Sequence, residues 1–481
     1  MEISKMNLKE KRNLWKYVDH NEYQKHVTIS TIGSNIESAE EVDDKIIYMK
    51  DLEKRKQVYG ICGECNEPGT GEVWCQPCNA KRFKNNFKNW TSGNKDIDEF
   101  IQQLQLNAVH YRNYIEWIPF EKFKDITYIT RGGFGKIYSA EWPEGCIFTW
   151  DIVNQKWKRY YNIKVALKSL DNSSCISTEF LNEIKTHLQI YLWDIIQCYG
   201  ITQDPNTKDY IMVLAYCENG NLRNYYMNNE SNYFTKIEVL RRIASGLLDI
   251  HNSGKVHKDF HSGNILYNFH TPYISDLGMC QPAYNEQSVK KNGIYGVLPY
   301  MAPEVLRGYQ YTKASDIYSF GVMMNEYISE ETPYNNIPHN HALAINICKG
   351  FRPIIFEYTP KLLADLITKC WDAKAENRPT AKELYQKLKK IKYYGYDSDN
   401  ESQINEYNDK IKLNRTSEKR SNNIKTHPQA IYTSRLLNFK NLPEPVNSDA
   451  TQTTLHSECF DCQLDESDFN EINQNEEINI E

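Results

Sequence analysis

The reading of the fold turns on Val256-His257-Lys258-Asp259-Phe260-His261-Ser262-Gly263-Asn264-Ile265. Asp259 and Asn264 stand five residues apart, in a short segment between an amphipathic helical stretch and an apolar run. That spacing suits a loop offering one carboxylate to a hydroxyl nucleophile and one carboxamide to a metal ion. Asp276-Leu277-Gly278, placed just after a short expected strand, supplies a second carboxylate for a metal. A base and two metal-binding side chains are the least that phosphoryl transfer from a magnesium nucleotide requires.

Two segments upstream add to this set. Ile129-Thr130-Arg131-Gly132-Gly133-Phe134-Gly135-Lys136-Ile137 joins two expected strands, and its glycines let backbone amides approach phosphate with no Cβ in the way. Many hairpins carry such glycines, so this stretch alone is weak. Val165-Ala166-Leu167-Lys168 reads as an apolar strand ending in a lysine, for which Glu183 in the helical stretch Phe180–Gln189 is the candidate partner. A lysine facing solvent at a strand end is the blander reading of the same residues. Taken in order, these segments resemble the glycine-rich loop, the V-A-I-K strand, the H-R-D-x-x-x-x-N loop and the D-F-G of the eukaryotic protein kinase superfamily. Ala302-Pro303-Glu304-Val305-Leu306, Asp316 to Val322 (D-I-Y-S-F-G-V) and Glu376-Asn377-Arg378-Pro379-Thr380 resemble its tyrosine-kinase-like branch.

The resemblance implies ATP as donor, Mg²⁺ as cofactor and protein hydroxyls as acceptors. Lys168, paired with Glu183, would hold the α/β-phosphates; Asp259 would act as base; Asn264 and Asp276 would bind Mg²⁺. Ile129, Gly132, Gly133, Gly135 and Ile137 would cover the nucleotide, with Ala166 above the adenine and Leu266 below it. Leu214, at the gatekeeper position, and Ala215, Tyr216 and Cys217 would form the segment between lobes that receives the adenine. Asp316 would brace the catalytic loop, and Glu304 would pair with Arg378. Several positions depart from the pattern. Thr130 stands for the first glycine, Lys258 for the usual Arg, His261 for the Lys of Ser/Thr kinases, Leu277 for Phe and Val297 for Thr. Lys258 gives up a bidentate grip on an activating phosphate. His261 and Val297 change together and read as a compensated pair, although an idle surface histidine is the plainer account of His261. His187 occupies a normally apolar position and is expected packed and hydrogen-bonded. Tyr284, Ser288 and Tyr295 are candidate sites for an upstream kinase.

Cys62-x-x-Cys65, nine residues, then Cys75-x-x-Cys78, each pair beside Gly or Pro, predicts a small zinc-binding module over 59–90. A stretch this short has too little apolar surface to fold otherwise. The basic, aromatic run Lys81–Trp90 is expected as a solvated helix with its aromatic side docked, rather than as a nucleic-acid contact. Such a module ahead of this catalytic unit resembles lineage-expanded fungal kinases.

The chain has 481 residues and a net charge of −6, which implies no general affinity for nucleic acid. No apolar run is long enough for a membrane span, and the first residues lack a secretory core. With 13 cysteines and no export signal, thiols are expected reduced or metal-bound and the setting cytoplasmic, the nucleus being the alternative. Residues 1–58 read as a charged leader, partly helical around Lys9–Tyr17 and Asp43–Gln57, and 96–118 as a helix capped by Asp96 and ended by Pro119. Residues 120–392, strands first and helices after, predict a two-lobed α+β unit with a cleft between lobes. The Trp- and Tyr-rich insertion 143–162 is expected as a hairpin without evident function. Residues 393–481 read as a largely disordered acidic tail, with Ala430–Phe439 as a docking segment and Cys459-x-x-Cys462 as a chance pair. Two other readings remain open at this point: a nucleotide-binding pseudokinase scaffold, and an adaptor dominated by its zinc module.

Overall fold

The structure, a computed structural model, describes residues 12–16, 27–29, 46–132, 135–170, 177–190, 194–282, 294–394, 398–416 and 426–447. Helices Leu52–Tyr59 (α1), Gln76–Asn86 (α2) and Lys95–Asn107 (α3) come first. Glu116–Trp117 (β1), Lys124–Gly132 (β2), Gly135–Trp142 (β3), a hairpin of Cys146–Asp151 (β4) with Lys156–Tyr160 (β5), and Ile163–Leu170 (β6) follow. Helix Thr178–Gln189 (α4) precedes strands Cys198–Gln203 (β7) and Tyr210–Ala215 (β8). Among the described residues the main sheet runs β1-β7-β8-β6-β3-β2, antiparallel except for the β1–β7 pair.

Alternation along these strands buries both faces of the sheet. Val165, Leu167, Ile211 and Val213 pack with Trp142 and Phe123 on one side. On the other, Met212, Leu214 and Ile201 meet Phe180, Ile184 and Leu188 of α4 and Ile97 and Ile101 of α3. Helix α3 therefore lies behind α4 as an outer layer. It is shorter than the sequence implies. Asn94, not Asp96, caps it, accepting from the amides of Asp96 and Ile97 at 2.9 and 3.4 Å. It ends at Asn107 because the chain then turns onto the cysteine module: the Ala108 and Val109 carbonyls accept from the Trp74 indole and the Thr70 hydroxyl, both at 2.8 Å.

The insertion hairpin β4–β5 is the other face of that dock. Trp157 lies 5.0 Å from the Phe83 ring and 6.0 Å from Trp74. The Arg82 guanidinium sits 4.3 Å over Trp150, and Thr149 donates to the Val73 carbonyl at 2.8 Å. The docked aromatic side expected for Lys81–Trp90 is thus Phe83, 5% exposed.

The second lobe is helical. Leu222–Asn228 (α5) and Tyr233–Asn252 (α6) lead to strands Ile265–Asn268 (β9), Thr271–Ile274 (β10) and Ile294–Gly296 (β11). Then come Lys313–Ser329 (α7), His341–Cys348 (α8), Lys361–Cys370 (α9) and Ala381–Tyr394 (α10). Helix α7 is buried from Ser315 to Ser329, as a helix apolar on nearly all sides must be.

The ends differ from expectation. Around residue 14 there is no helix: Leu14–Trp15 pairs with Gly60–Ile61. Gly60 has φ +82°, and a Cβ there would lie 2.1 Å from the Leu14 carbonyl, so this crossing demands glycine. The expected helix 43–57 is replaced by strand Ile46–Tyr48 and α1, with Arg55 buried and donating to the carbonyls of Met49, Pro68 and Gly69. Part of the expected disordered tail is structured. Ser398–Thr416 forms a helix (α11), anchored where Glu330 takes the Lys236 ammonium at 2.8 Å and the Arg415 guanidinium at 2.7 Å. Residues 426–447 form a strap containing strand Arg435–Leu437 (β12). Cys459 and Cys462 lie outside the described residues.

Ile101 is fully buried between α3 and α4. Ile101→Ala is expected to destabilise the chain by about 2–5 kcal/mol, whereas Lys95→Ala, on the exposed face, changes stability by less than about 0.5 kcal/mol. Denaturant midpoints of the two variants check this.

Candidate active site

The site forms where β6, α4 and the segment after β10 converge. Lys168 Nζ lies 2.8 Å from Glu183 Oε1 and 2.8 Å from Asp276 Oδ1. Burial opposes the lysine's charge, but Asp276 and then Glu183 hold its pKa above the ordinary value. Burial likewise works against the Asp276 carboxylate, and Lys168 keeps it below the usual range. Gly278 passes beneath α4 so closely that a Cβ would meet Glu183 Oε2 at 3.0 Å. Asp276 itself is left-handed at φ +57°, which turns its carboxylate back toward the lysine side of the cleft.

Ala166 and Leu214 are register partners on adjacent strands, and Ala215 pairs with Val165. Leu214 and Cys217 are buried, while Tyr216, Ala215 and Leu266 are half-buried. Burial raises the Cys217 thiol to about 12, so it is an inert wall. Ile137 pairs with both Lys168 and Thr130, and Gly132 pairs with Gly135 at the hairpin end. Ile129 is exposed, and Gly133 lies outside the described residues.

In the catalytic loop Asp259 is 4% exposed. The Asn264 amide donates to its carbonyl at 2.9 Å and its Oδ2 at 3.1 Å. With the amide nitrogen so engaged, the amide oxygen is what Asn264 would offer a cation. Asp316 accepts from the backbone amides of His257 and Lys258 at 2.8 and 2.9 Å, bracing the loop from below. Lys258 has φ +71°. Glu304 and Arg378 form a two-bond fork at 2.6 and 2.8 Å.

His261 is no idle surface residue. It is buried, its Nδ1 accepts from the Gly263 amide at 3.1 Å, and its Nε2 stands 3.6 Å from Asp259 Oδ1. Val297, 2% exposed, lines the same small cavity. Burial pushes the Asp259 carboxyl up, but His261 first and the Ser434 hydroxyl after it hold it down to about 2. Asp259 Oδ1 and His261 Nε2 have no hydrogen-bond partner although buried. The oxygens that would suit a magnesium ion are those of the Asp276 carboxylate and the Asn264 amide, the hard donors this cation prefers.

Sequence reading missed what lies beneath the loop. Arg223 donates to Glu326 at 3.0 Å, to Ser262 at 3.0 Å and to Tyr300 at 2.7 Å; Tyr300 and Ser262 also donate to Glu326 at 2.7 and 2.9 Å. The available signal was Glu326 inside the apolar run of α7, since a charge there must be paired. It also missed that Ser434 donates to Asp259 Oδ2 at 2.5 Å.

The four cysteines of the N-terminal module gather as a second site. Their sulfurs all lie within 4.8 Å of one another, with Cys65–Cys75 at 3.6 Å and Cys62–Cys78 at 4.0 Å. A tetrahedral zinc with bonds of about 2.3 Å needs sulfurs roughly 3.8 Å apart, so the residues fit the ion. The second pair sits not on a free turn but at the start of α2, with Cys75 at its cap. That places the helix's amide end toward the thiolates. Crowding sets the thiols apart: Cys62 is lowered to about 6 through its contact with Cys75, while burial raises Cys78 to about 12.

Comparison with known proteins agrees with this geometry. The family described as protein tyrosine and serine/threonine kinase matches residues 123–388. The chain belongs to that family. It is 27% identical to human tyrosine-protein kinase TXK over 284 residues, 58% of this chain and 50% of that one. A probable LIM domain-containing serine/threonine-protein kinase of Dictyostelium discoideum is 31% identical over 40% of this chain and 20% of its own. The dual specificity protein kinase shkA of the same organism is 28% identical over 48% and 44%. The chain thus spans half or less of the length of these relatives. Acceptor types named among them differ, so likeness alone does not select one.

His187 carries a testable cost. It is 3% exposed, with Nδ1 3.1 Å from the Ile196 carbonyl and Nε2 without a hydrogen bond, 3.9 Å from Glu183 Oε1, and burial lowers it from 6.5 to about 4. The unfolded chain therefore takes up a proton that the folded one refuses between these values. Stability is full above about pH 6.5 and falls toward pH 4, by roughly 3 kcal/mol in all. His187→Leu should flatten that acid limb in urea titrations; identical slopes for both proteins would contradict the account.

Proposed function

We propose that this kinase transfers the γ-phosphoryl group of ATP to Ser or Thr hydroxyls of protein substrates, tyrosine or dual specificity being the alternative. The observation that carries this reading is Lys168 held between Glu183 and Asp276 at 2.8 Å each. Three separate elements bring these charges together, at the desolvation cost that a phosphate-binding site requires. A seryl hydroxyl on Asp259 supports an alcohol acceptor.

In this reading Lys168 grips the α/β-phosphates and Glu183 keeps it aimed. Asp276 and the Asn264 amide oxygen hold magnesium, which offsets phosphate charge and orients the γ-group. Asp259 orients the acceptor hydroxyl and takes its proton. His261 tunes Asp259 and, with Val297, replaces the usual Lys and Thr. Ile129, Gly132, Gly133, Gly135 and Ile137 cover the nucleotide; Ala166, Leu214, Ala215, Tyr216, Cys217 and Leu266 enclose the adenine. Cys62, Cys65, Cys75 and Cys78 bind one structural zinc. Among the described residues no helix is long and apolar enough to cross a membrane. A cytoplasmic or nuclear setting, protein substrates and an upstream kinase complete the reading.

Asp259→Asn should lower phosphate transfer to a peptide library by about 10²–10⁴ while leaving nucleotide binding in place. A wild-type protein that binds nucleotide yet incorporates no phosphate would return the scaffold reading. Metal analysis of the purified chain should find one zinc, lost in Cys75→Ser together with several degrees of thermal stability.

A further inference from the structure

The strap 426–447 runs through the cleft face of the helical lobe. Its strand β12 pairs antiparallel with β11 of the activation segment, with Gly296 opposite Arg435, Tyr295 opposite Leu436 and Ile294 opposite Leu437. Tyr311 steadies β11 from behind by donating to the Tyr295 carbonyl at 2.6 Å. Leu437 is 6% exposed and enters the lobe's core. Ahead of β12, Tyr432 donates to the Pro333 carbonyl at 2.7 Å and lies 4.5 Å under the Arg223 guanidinium. Arg435 donates to the His339 carbonyl at 2.6 Å. Beyond β12, Phe439 stacks on His341 at 5.7 Å, Glu444 forks onto Arg307, and the Val446 amide reaches the Cys348 carbonyl at 2.9 Å. Between these anchors one hydroxyl, that of Ser434, points at the carboxylate assigned as base.

A segment merely covering a surface would not need this register. Backbone pairing fixes where residue 434 falls, and the buried side chain of Leu437 prevents a one-residue slip, which would turn Leu437 out to solvent. Strand addition of this kind is how an extended peptide is held by an edge.

We propose that Ser434 is a phosphoacceptor of the chain's own active site, presented in cis by a strap that occupies the protein-substrate groove. The proposal rests on the phosphotransfer reading above. Asp259 Oδ2 takes the Ser434 hydroxyl proton as a bond forms from Oγ to the γ-phosphorus of ATP. The bond from that phosphorus to the bridging oxygen breaks, and ADP leaves, giving phosphoserine, ADP and a proton. The new group, with about −1.5 to −2 charges, then lies against Asp259 and near Asp276, where like charges repel it. The strap withdraws and the groove opens to other proteins.

The test incubates the purified full-length protein with Mg-ATP and maps phosphate by mass spectrometry while following an exogenous peptide from the library. Ser434 should be modified at a rate per molecule that does not change on tenfold dilution. Ser434→Ala should retain a closed strap; one closed about nine-tenths of the time raises the apparent KM for peptide roughly tenfold relative to the phosphorylated wild type. Arg435→Ala and Leu437→Asp should each lower that KM, Arg435→Ala serving alone if the second does not fold. Peptide phosphorylation with Ser434 unmodified and KM equal in all forms overturns this inference and leaves the kinase reading standing. Absence of transfer to both peptide and Ser434 removes the two together. A Ser434 rate proportional to protein concentration overturns presentation in cis.

Discussion

The site depends on one buried cation being neutralised from two directions. Lys168 comes from the sheet, Glu183 from α4 and Asp276 from the segment after β10, and their atoms meet at 2.8 Å. Removing the lysine would leave two buried carboxylates facing each other without a counter-charge, which costs several kcal/mol, so Lys168 is what lets the three elements meet. Helix α4 is the element that carries Glu183. It is backed by α3, whose Ile97 and Ile101 are fully buried against it. Helix α3 in turn ends where Trp74 and Thr70 of the cysteine module take its following carbonyls. Residues outside the family's matched span thus stand behind Lys168 and its partners.

The insertion hairpin closes this arrangement from the other side. Its Trp157 and Trp150 meet Phe83 and Arg82, so the small module is clamped between α3 and β4–β5. A four-cysteine unit with little core of its own gains apolar contact from both. The hairpin's aromatic composition, without purpose in the sequence alone, has its physical reason here.

What the sequence made legible was local or tied to strong spacing. Alternation placed the strands around Val165 and Ile211, and the motifs named Lys168, Glu183 and Asp276, whose charged atoms meet. The paired cysteines announced a cluster. Less legible was everything set by distant contact. The end of α3 is decided by carbonyls needed at Trp74 and Thr70, and the strand at Leu14 by a partner at Gly60. Ala430–Phe439 reads as a segment able to dock, yet nothing in it says that its partner is β11. Helix α11 carries only a narrow apolar stripe, Ile404, Tyr407 and Ile411, in an otherwise polar run; its Tyr407 and Arg415 are held by Lys236 and Glu330, which lie far away in the chain.

That last anchor sets how the strap competes. Helix α11 is pinned by the Lys236–Glu330–Arg415 cluster, and only nine residues, 417–425, separate it from the strap. A tether so short gives an effective local concentration on the order of millimolar. Dilution does not weaken a pairing made within one chain. The geometry makes the occupancy of this groove a property of a single molecule, insensitive to how much of the protein is present.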